Sequence, residues 1–292
     1  MPSERMSRND FILLAVFVST LLAIVLVAFA PVADEATLTM RVWAIAGSPI
    51  AIGVVSTFVA AFAGTLGAQA LAERTTSRKA LLSEIRGVNA ALGVVFTITN
   101  TYITVKKQYV NTLVRDHETQ AAARKAHAGA LFAVHLELQT ISPPFSPIDE
   151  LRTLLRERIT PDGGAMFLLT PLTQRIRDFD DAINKRNDWI AEVKAMPSNS
   201  DSIKCAWFFG VPYDTGRTDA RYPNLISAFK SKTDDCIAFS ILIGQSLARY
   251  GERLAKRYGD DAPRITKASF DQVADILPDM SLYSGWSKQR TT

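Results

Sequence analysis

Residues 53–79 read GVVSTFVAAFAGTLGAQALAERTTSRK. Small and apolar side chains dominate this stretch up to Ala72, and Glu73 then opens a segment holding Arg74, Arg78 and Lys79. The same break divides the whole chain. Residues 11–33 and 42–72 contain no Asp, Glu, Lys, Arg or His, whereas charge is frequent after Glu73. A mean hydropathy of +0.08 over 292 residues therefore averages two different kinds of sequence.

A bilayer core of ~30 Å takes about 20 helical residues at ~1.5 Å each. Residues 11–32, FILLAVFVSTLLAIVLVAFAPV, match that length, and their only polar side chains are Ser19 and Thr20. A surface helix of a soluble domain would show a polar edge. The rival reading is a secretory signal, with Arg5 and Arg8 as its basic start and Ala28-Phe29-Ala30 as a small-x-small site. Against it, the apolar run is long for a signal core, Pro31 follows the site directly, and a second apolar segment comes at once. A retained helix is the expectation. The second segment, residues 42–72, is longer than a bilayer requires. Ser48-Pro49 suits its start or a kink, and Trp43 suits the interface.

Basic residues sort to the cytoplasmic side. The connector PVADEATLTMR holds Asp34, Glu35 and a single Arg41, whereas Arg5 and Arg8 precede the first segment and Arg74, Arg78, Lys79 and Arg86 follow the second. The sequence thus predicts a two-helix transmembrane hairpin, residues 1–72, with both termini cytoplasmic, in the inner membrane if the source is bacterial. Neither segment carries an ionisable group at bilayer depth, which excludes the proton and ion relays of transporters. The second segment does carry small residues at four-residue steps: Gly53, Thr57 and Ala61, and Ala60, Gly64 and Ala68. That spacing lets helix backbones approach closely in lipid, within one chain or between copies.

After Glu73 the apolar positions follow helical spacing. One stripe runs through Leu81, Ile85, Val88, Leu92, Val95, Ile98, Tyr102, Val105, Tyr109 and Leu113. No proline interrupts residues 50–142, so this helix is free to continue from the membrane segment and onward to about Gln139, with a turn near Arg115 to Glu118 allowed. Gly87 and Gly93 weaken it and suggest close packing. The ISPPFSP stretch breaks the pattern, and Ser146-Pro147 followed by Asp149 and Glu150 starts a new helix. Two further stripes follow: Leu172, Ile176, Phe179, Ile183, Ile190 and Val193, with Asn187 among them, and Phe229, Cys236, Ile243, Leu247, Tyr250 and Leu254. The stretch KASFDQVADIL reads as a short last helix, and strand signals are nearly absent. The fold expected for residues 73–292 is an all-α cytoplasmic bundle, whose stripes could also pair as a coiled coil between chains.

Chemistry-bearing residues are sparse. His117, His127 and His135 lack the three- or four-residue spacing of helix metal ligands and read as surface or capping histidines. Asp178, Asp180 and Asp181 with Arg175, Arg177, Lys185 and Arg186 read as a solvated charged face, and Asp234-Asp235 and Asp260-Asp261 as surface or interhelical pairs. The loop GVPYDTGRTDARYP matches no phosphate-binding pattern. Cys205 and Cys236 are too few for a disulfide framework, and Cys236 lies on an apolar stripe. The formal charge is +4; residues 1–72 carry −1, so the remainder carries +5, which suits an anionic membrane surface better than nucleic acid.

No catalytic site, cofactor or metal is specified by these residues. The outline is similar to two-span sensors with helical stalks, although the outer connector is too short for a sensor domain. The reading is a membrane-anchored, self-associating helical adaptor with the bilayer, further copies of itself and a cytoplasmic protein as partners. The alternative is an oligomeric pore-forming or membrane-perturbing effector with a cytoplasmic sensing domain.

Overall fold

The computed structural model describes Ser19 and residues 49–126, 138–160, 163–213 and 216–288. Ser19 apart, the first expected span, residues 11–32, lies outside the described residues, as do the connector and Trp43. The chain is mostly helical. It divides into two compact units, Met1–Thr76 and Ser77–Thr292.

Helix α1 runs Pro49–Val105 and joins a π-helical segment, Lys106–Val110, then α2, Asn111–Ala126. The turn allowed near Arg115 to Glu118 is not taken, and Leu138 and Gln139 are non-helical. After α3, Ile148–Glu157, come α4, Gly163–Ala195, and α5, Asp201–Phe209. A two-residue hairpin, β1 Pro212–Tyr213 against β2 Arg217–Thr218, leads to α6, Arg221–Tyr258. The chain then runs without helix from Gly259 to Phe270 and closes with the 3-10 turns Asp271–Val273 and Met280–Tyr283 and the short α7, Ser284–Lys288. KASFDQVADIL therefore forms one 3-10 turn and no helix.

Among the described residues, one helical stretch, Gly67–Ala126, is long and apolar enough by length and composition to cross a membrane. Its charge-free run, residues 87–105, is built into the second unit, where Val88, Ala91, Leu92, Val95, Ile98, Tyr102 and Ile103 are buried. A buried core helix and a lipid-spanning helix share this composition. In the first unit, α1 exposes Ala60, Gly64 and every residue from Gly67 to Thr76.

Helix α6 is the axis of the bundle. Its residues 236–243, CIAFSILI, are buried on every side, so neighbours surround it there. Helix α4 packs along it antiparallel. Phe179 meets Phe229 with ring centroids 5.7 Å apart, Trp189 meets Tyr222 at 4.4 Å, and Arg175 reaches Asp235 at 3.0 Å. Helix α1 also runs antiparallel to α6, along a seam of small residues. A Cβ added at Gly251 would lie 3.0 Å from Val88, and one at Gly244 would lie 3.4 Å from Val95. The Thr99 hydroxyl donates to Ser240 at 2.9 Å, and Lys106 pairs with Asp234 at 2.5 Å. Every step up α1 is matched by a comparable step down α6, as two helices in fixed register require.

The stripes expected from the sequence form this core, with one break in phase. Ile85, Val88, Leu92, Val95, Ile98 and Tyr102 are buried, but Tyr109 is 45% exposed and Val110 takes its place at 2%. The π segment adds a residue to one turn and rotates the following side chains, which periodicity of 3.6 cannot anticipate. It also brings the Lys106 stem into the core, with its ammonium on Asp234.

Two asparagines pin the non-helical segments. Asn187 donates from Nδ2 to the Ile141 carbonyl at 2.8 Å, and its Oδ1 accepts the Ile141 N–H at 3.1 Å. Asn89 does the same to the segment after α6, donating to the Arg264 carbonyl at 2.9 Å and accepting the Thr266 N–H at 3.0 Å. Each amide satisfies a donor and an acceptor that an extended backbone would otherwise present to a helix face.

The two stripe glycines differ. At Gly87 a Cβ would lie 3.0 Å from the Arg158 backbone oxygen, so close packing is real there; at Gly93 it would meet nothing within 4 Å. Three substitutions test the seam and the clamp through the thermal or denaturant stability of the full chain. Gly251→Ala should cost about 1–3 kcal/mol, because its methyl collides with Val88 and with Ile265, 2.9 Å away, whereas Gly93→Ala should gain up to about 1 kcal/mol from helix propensity. Asn187→Ala should cost about 1–3 kcal/mol by leaving both Ile141 backbone groups unpaired. A neutral Gly251→Ala would contradict the seam, and a neutral Asn187→Ala would contradict the clamp.

Candidate functional site

Of the residues expected to pack membrane helices, Gly53, Thr57 and Ala61 lie in α1, but their surroundings fall outside the described residues. Ala60, Gly64 and Ala68 are exposed one helical turn apart, and a Cβ at Gly64 would meet nothing within 4 Å. In the basic flank, Arg74, Lys79 and Arg86 are exposed. Arg78 is engaged within its own unit: it pairs with Asp261 at 2.9 Å, and its guanidinium lies over the Tyr258 ring, 4.8 Å from the centroid.

The charged stretch on α4 is not one solvated face. Asp181 and Lys185 are exposed and pair at 2.7 Å, as such a face would. Arg186 instead is 2% exposed and donates to the Gln139 carbonyl at 2.8 Å. Arg175 and Asp178 turn toward α6, where Arg175 bridges to Asp235 and Lys232 stands 3.8 Å from Asp178. Asp235 also accepts a hydrogen bond from the Tyr283 hydroxyl at 2.7 Å. Arg175, Asp178 and Asp235 each directly precede a stripe residue, Ile176, Phe179 and Cys236, and so sit where α4 and α6 converge. His117 takes the capping alternative and not the surface one: it is half-buried, its Nε2 lies 3.2 Å from the carbonyl of Phe208 in the last turn of α5, and its ring stands 5.3 Å from that of Phe208. His127 and His135 lie outside the described residues.

Beneath that charge network sits a polar pocket of the core. The Tyr102 hydroxyl is buried with Ser146, Cys236 and Asp180 as its polar neighbours. Burial pushes the Tyr102 and Cys236 ionisations well above their ordinary ranges, so neither is a nucleophile at neutral pH. Burial also raises the Asp180 carboxyl, one of whose oxygens has neither solvent nor a hydrogen bond. Among the described residues, no group of three or more His, Cys, Asp or Glu side chains converges to hold a metal.

An open cavity lies elsewhere in the same unit, between α1 and α6. It encloses about 750 Å³. Its floor is the helix seam: Leu92, Gly93, Val95 and Thr99 from α1, with Ser240, Ile241, Gly244 and Ala248 from α6. One wall is the extended strap of residues 266–270. Asn89 holds the strap on one side of this wall, and Phe96 holds it on the other by stacking on Phe270 with centroids 6.1 Å apart. Gln245, Arg249, Glu252 and Lys267 stand at the mouth, with Lys267 and Glu252 paired at 2.8 Å. The volume falls within the ~300–1,000 Å³ usual for small-molecule sites, with an apolar floor and the charged groups gathered at the mouth. No motif announces this site. Its only trace in the sequence is Gly93, a helix-weakening residue on the exposed side of α1.

Compared with protein-family models, curated proteins and solved structures, the chain matches none. Its function is therefore argued from its own geometry.

The Asp180 environment sets a pH dependence. A carboxyl raised on folding favours the native state while protonated; that contribution is complete below the ordinary Asp range near ~3.9 and is lost as pH rises through the folded value. Asp180→Asn should therefore melt higher than the native chain at pH 7, with the difference shrinking toward pH 4. A difference independent of pH would mean that the carboxyl is solvated.

Proposed function

We propose that the chain is a membrane-anchored, self-associating helical interaction protein whose bundle docks a cytoplasmic partner. The observation that carries this reading is the first unit's share of α1. Residues 49–72 hold no charged side chain, and Ala60, Gly64, Ala68 and Leu71, the last 67% exposed, are uncovered by protein. Apolar surface of this extent needs lipid or another chain against it. Small residues one turn apart favour a second helix pressed closely against that face. The basic residues Arg74, Lys79 and Arg86 favour an exit of this helix on the cytoplasmic side, and with Arg5 and Arg8 they support a reading of two spans and both termini inside.

Topology reporters test the anchor. A reporter active only outside should be silent when fused after Thr292 and active when inserted near Ala36; the reverse pattern would overturn the orientation. Self-association is read separately by crosslinking in membranes. Gly64→Leu should reduce dimer yield, and an unchanged yield would move any association away from this face.

A further inference from the structure

The geometry points to the cavity between α1 and α6 as a binding site for a single-chain anionic amphiphile, a molecule with one long apolar chain and a negatively charged head. Three observations define that chemistry. The floor makes no demand for hydrogen bonds: Thr99 donates to Ser240 at 2.9 Å and lies 2.8 Å from the Val95 carbonyl, and the Ser240 hydroxyl lies 2.9 Å from the Ile237 carbonyl. The two hydroxyls of the floor are thus already satisfied, and what the floor presents to an occupant is hydrocarbon. The floor is also left bare. A Cβ at Gly93 would meet nothing within 4 Å, so glycine there relieves no clash; the site simply lacks a side chain where a ligand could lie.

The third observation is charge. At the mouth, Lys267 and Glu252 neutralise each other at 2.8 Å. Arg249 is exposed beside them and has no ion-pair partner among the described residues. The mouth therefore keeps one uncompensated cation above an apolar channel, a complement to an anionic head above an apolar chain. The strap shapes the channel, because its ends are fixed by Asn89 and by the Phe96–Phe270 stack. The proposal borrows from the proposed function only the neighbourhood of a bilayer, where such molecules reside.

The test uses the full chain reconstituted in phosphatidylcholine vesicles and a palmitic acid carrying a photoreactive diazirine, with the labelled peptides mapped by mass spectrometry. Labelling is expected on residues 92–99 and 240–249. Gly93→Phe should remove it while leaving the melting temperature within a few degrees of the native value, because the ring enters empty space. If that ring perturbs folding, the smaller Gly93→Leu serves in its place. Arg249→Glu should weaken labelling about tenfold, the equivalent of one charge-assisted hydrogen bond, and a neutral palmityl alcohol probe should not respond to that change. Labelling confined to residues 49–72, or unchanged by Gly93→Phe in a folded variant, would overturn the proposal. The same map tests the anchor independently: absence of label on residues 49–72 counts against the membrane reading and not against the cavity.

Discussion

The seam between α1 and α6 is the contact on which the second unit depends. Two long helices can lie this close only where one side lacks bulk, and Gly244, Gly251 and Ser240 remove it from α6 at positions that face α1. The price in helix propensity, up to about 1 kcal/mol for each glycine, is offset by interhelical packing along several turns. The register fixed by this seam brings Lys106 to Asp234 at one end and Glu84 to the Tyr250 hydroxyl at the other, 2.5 Å apart in each case. Glu84 also accepts the Thr160 N–H at 2.7 Å, so the loop after α3 is tied to the same pair of helices.

Long helices leave a second problem, which is where the segments between them go. Helix faces offer no free backbone groups, so an extended strand of chain lying on them keeps its own N–H and C=O unpaired unless side chains serve them. Asn89 and Asn187 serve them from two different helices with the same bidentate geometry. Arg186, beside Asn187, adds a third bond to the Gln139 carbonyl. Burying a guanidinium is costly in itself, and here it is tolerated because the group is held between backbone and the Tyr222 region of the aromatic cluster. The strap anchored by Asn89 then doubles as a cavity wall, so one solution to a backbone problem also creates a site.

What was legible in the sequence follows from this. Apolar spacing identified the three core stripes because packing of long helices imposes a period of 3.6, and it failed where the period itself changed, at the π segment before Val110. Spacing alone predicts Arg186, Arg175 and Asp178 to be solvated because charge ordinarily is; a neighbouring helix and an irregular segment, contributed from far along the chain, bury Arg186 and half-bury Arg175 and Asp178. For His117 the capping alternative holds, but the helix end it serves is not legible, its partners Phe208 and Tyr222 being remote in sequence. Gly93 was read as a packing glycine like Gly87, since both weaken the same helix; the difference lies in Arg158 standing against one and nothing standing against the other.

The cavity has no sequence signature because its features are a bare glycine, satisfied hydroxyls and a cation, Arg249, without an ion-pair partner among the described residues, none of which forms a spaced motif. The same logic separates the two apolar runs of α1. Residues 49–72 and 87–105 both lack charge, so composition alone treats them alike. They differ in what the rest of the chain supplies. For residues 87–105, α6 provides a complementary row, small where α1 is large at Val88 and Val95, and the run becomes core. For residues 49–72, Ala60, Gly64, Ala68 and Leu71 remain uncovered. An apolar helix is assigned to core or to lipid by the existence of a matching surface, and small residues are informative because they identify which surfaces are shaped to be matched.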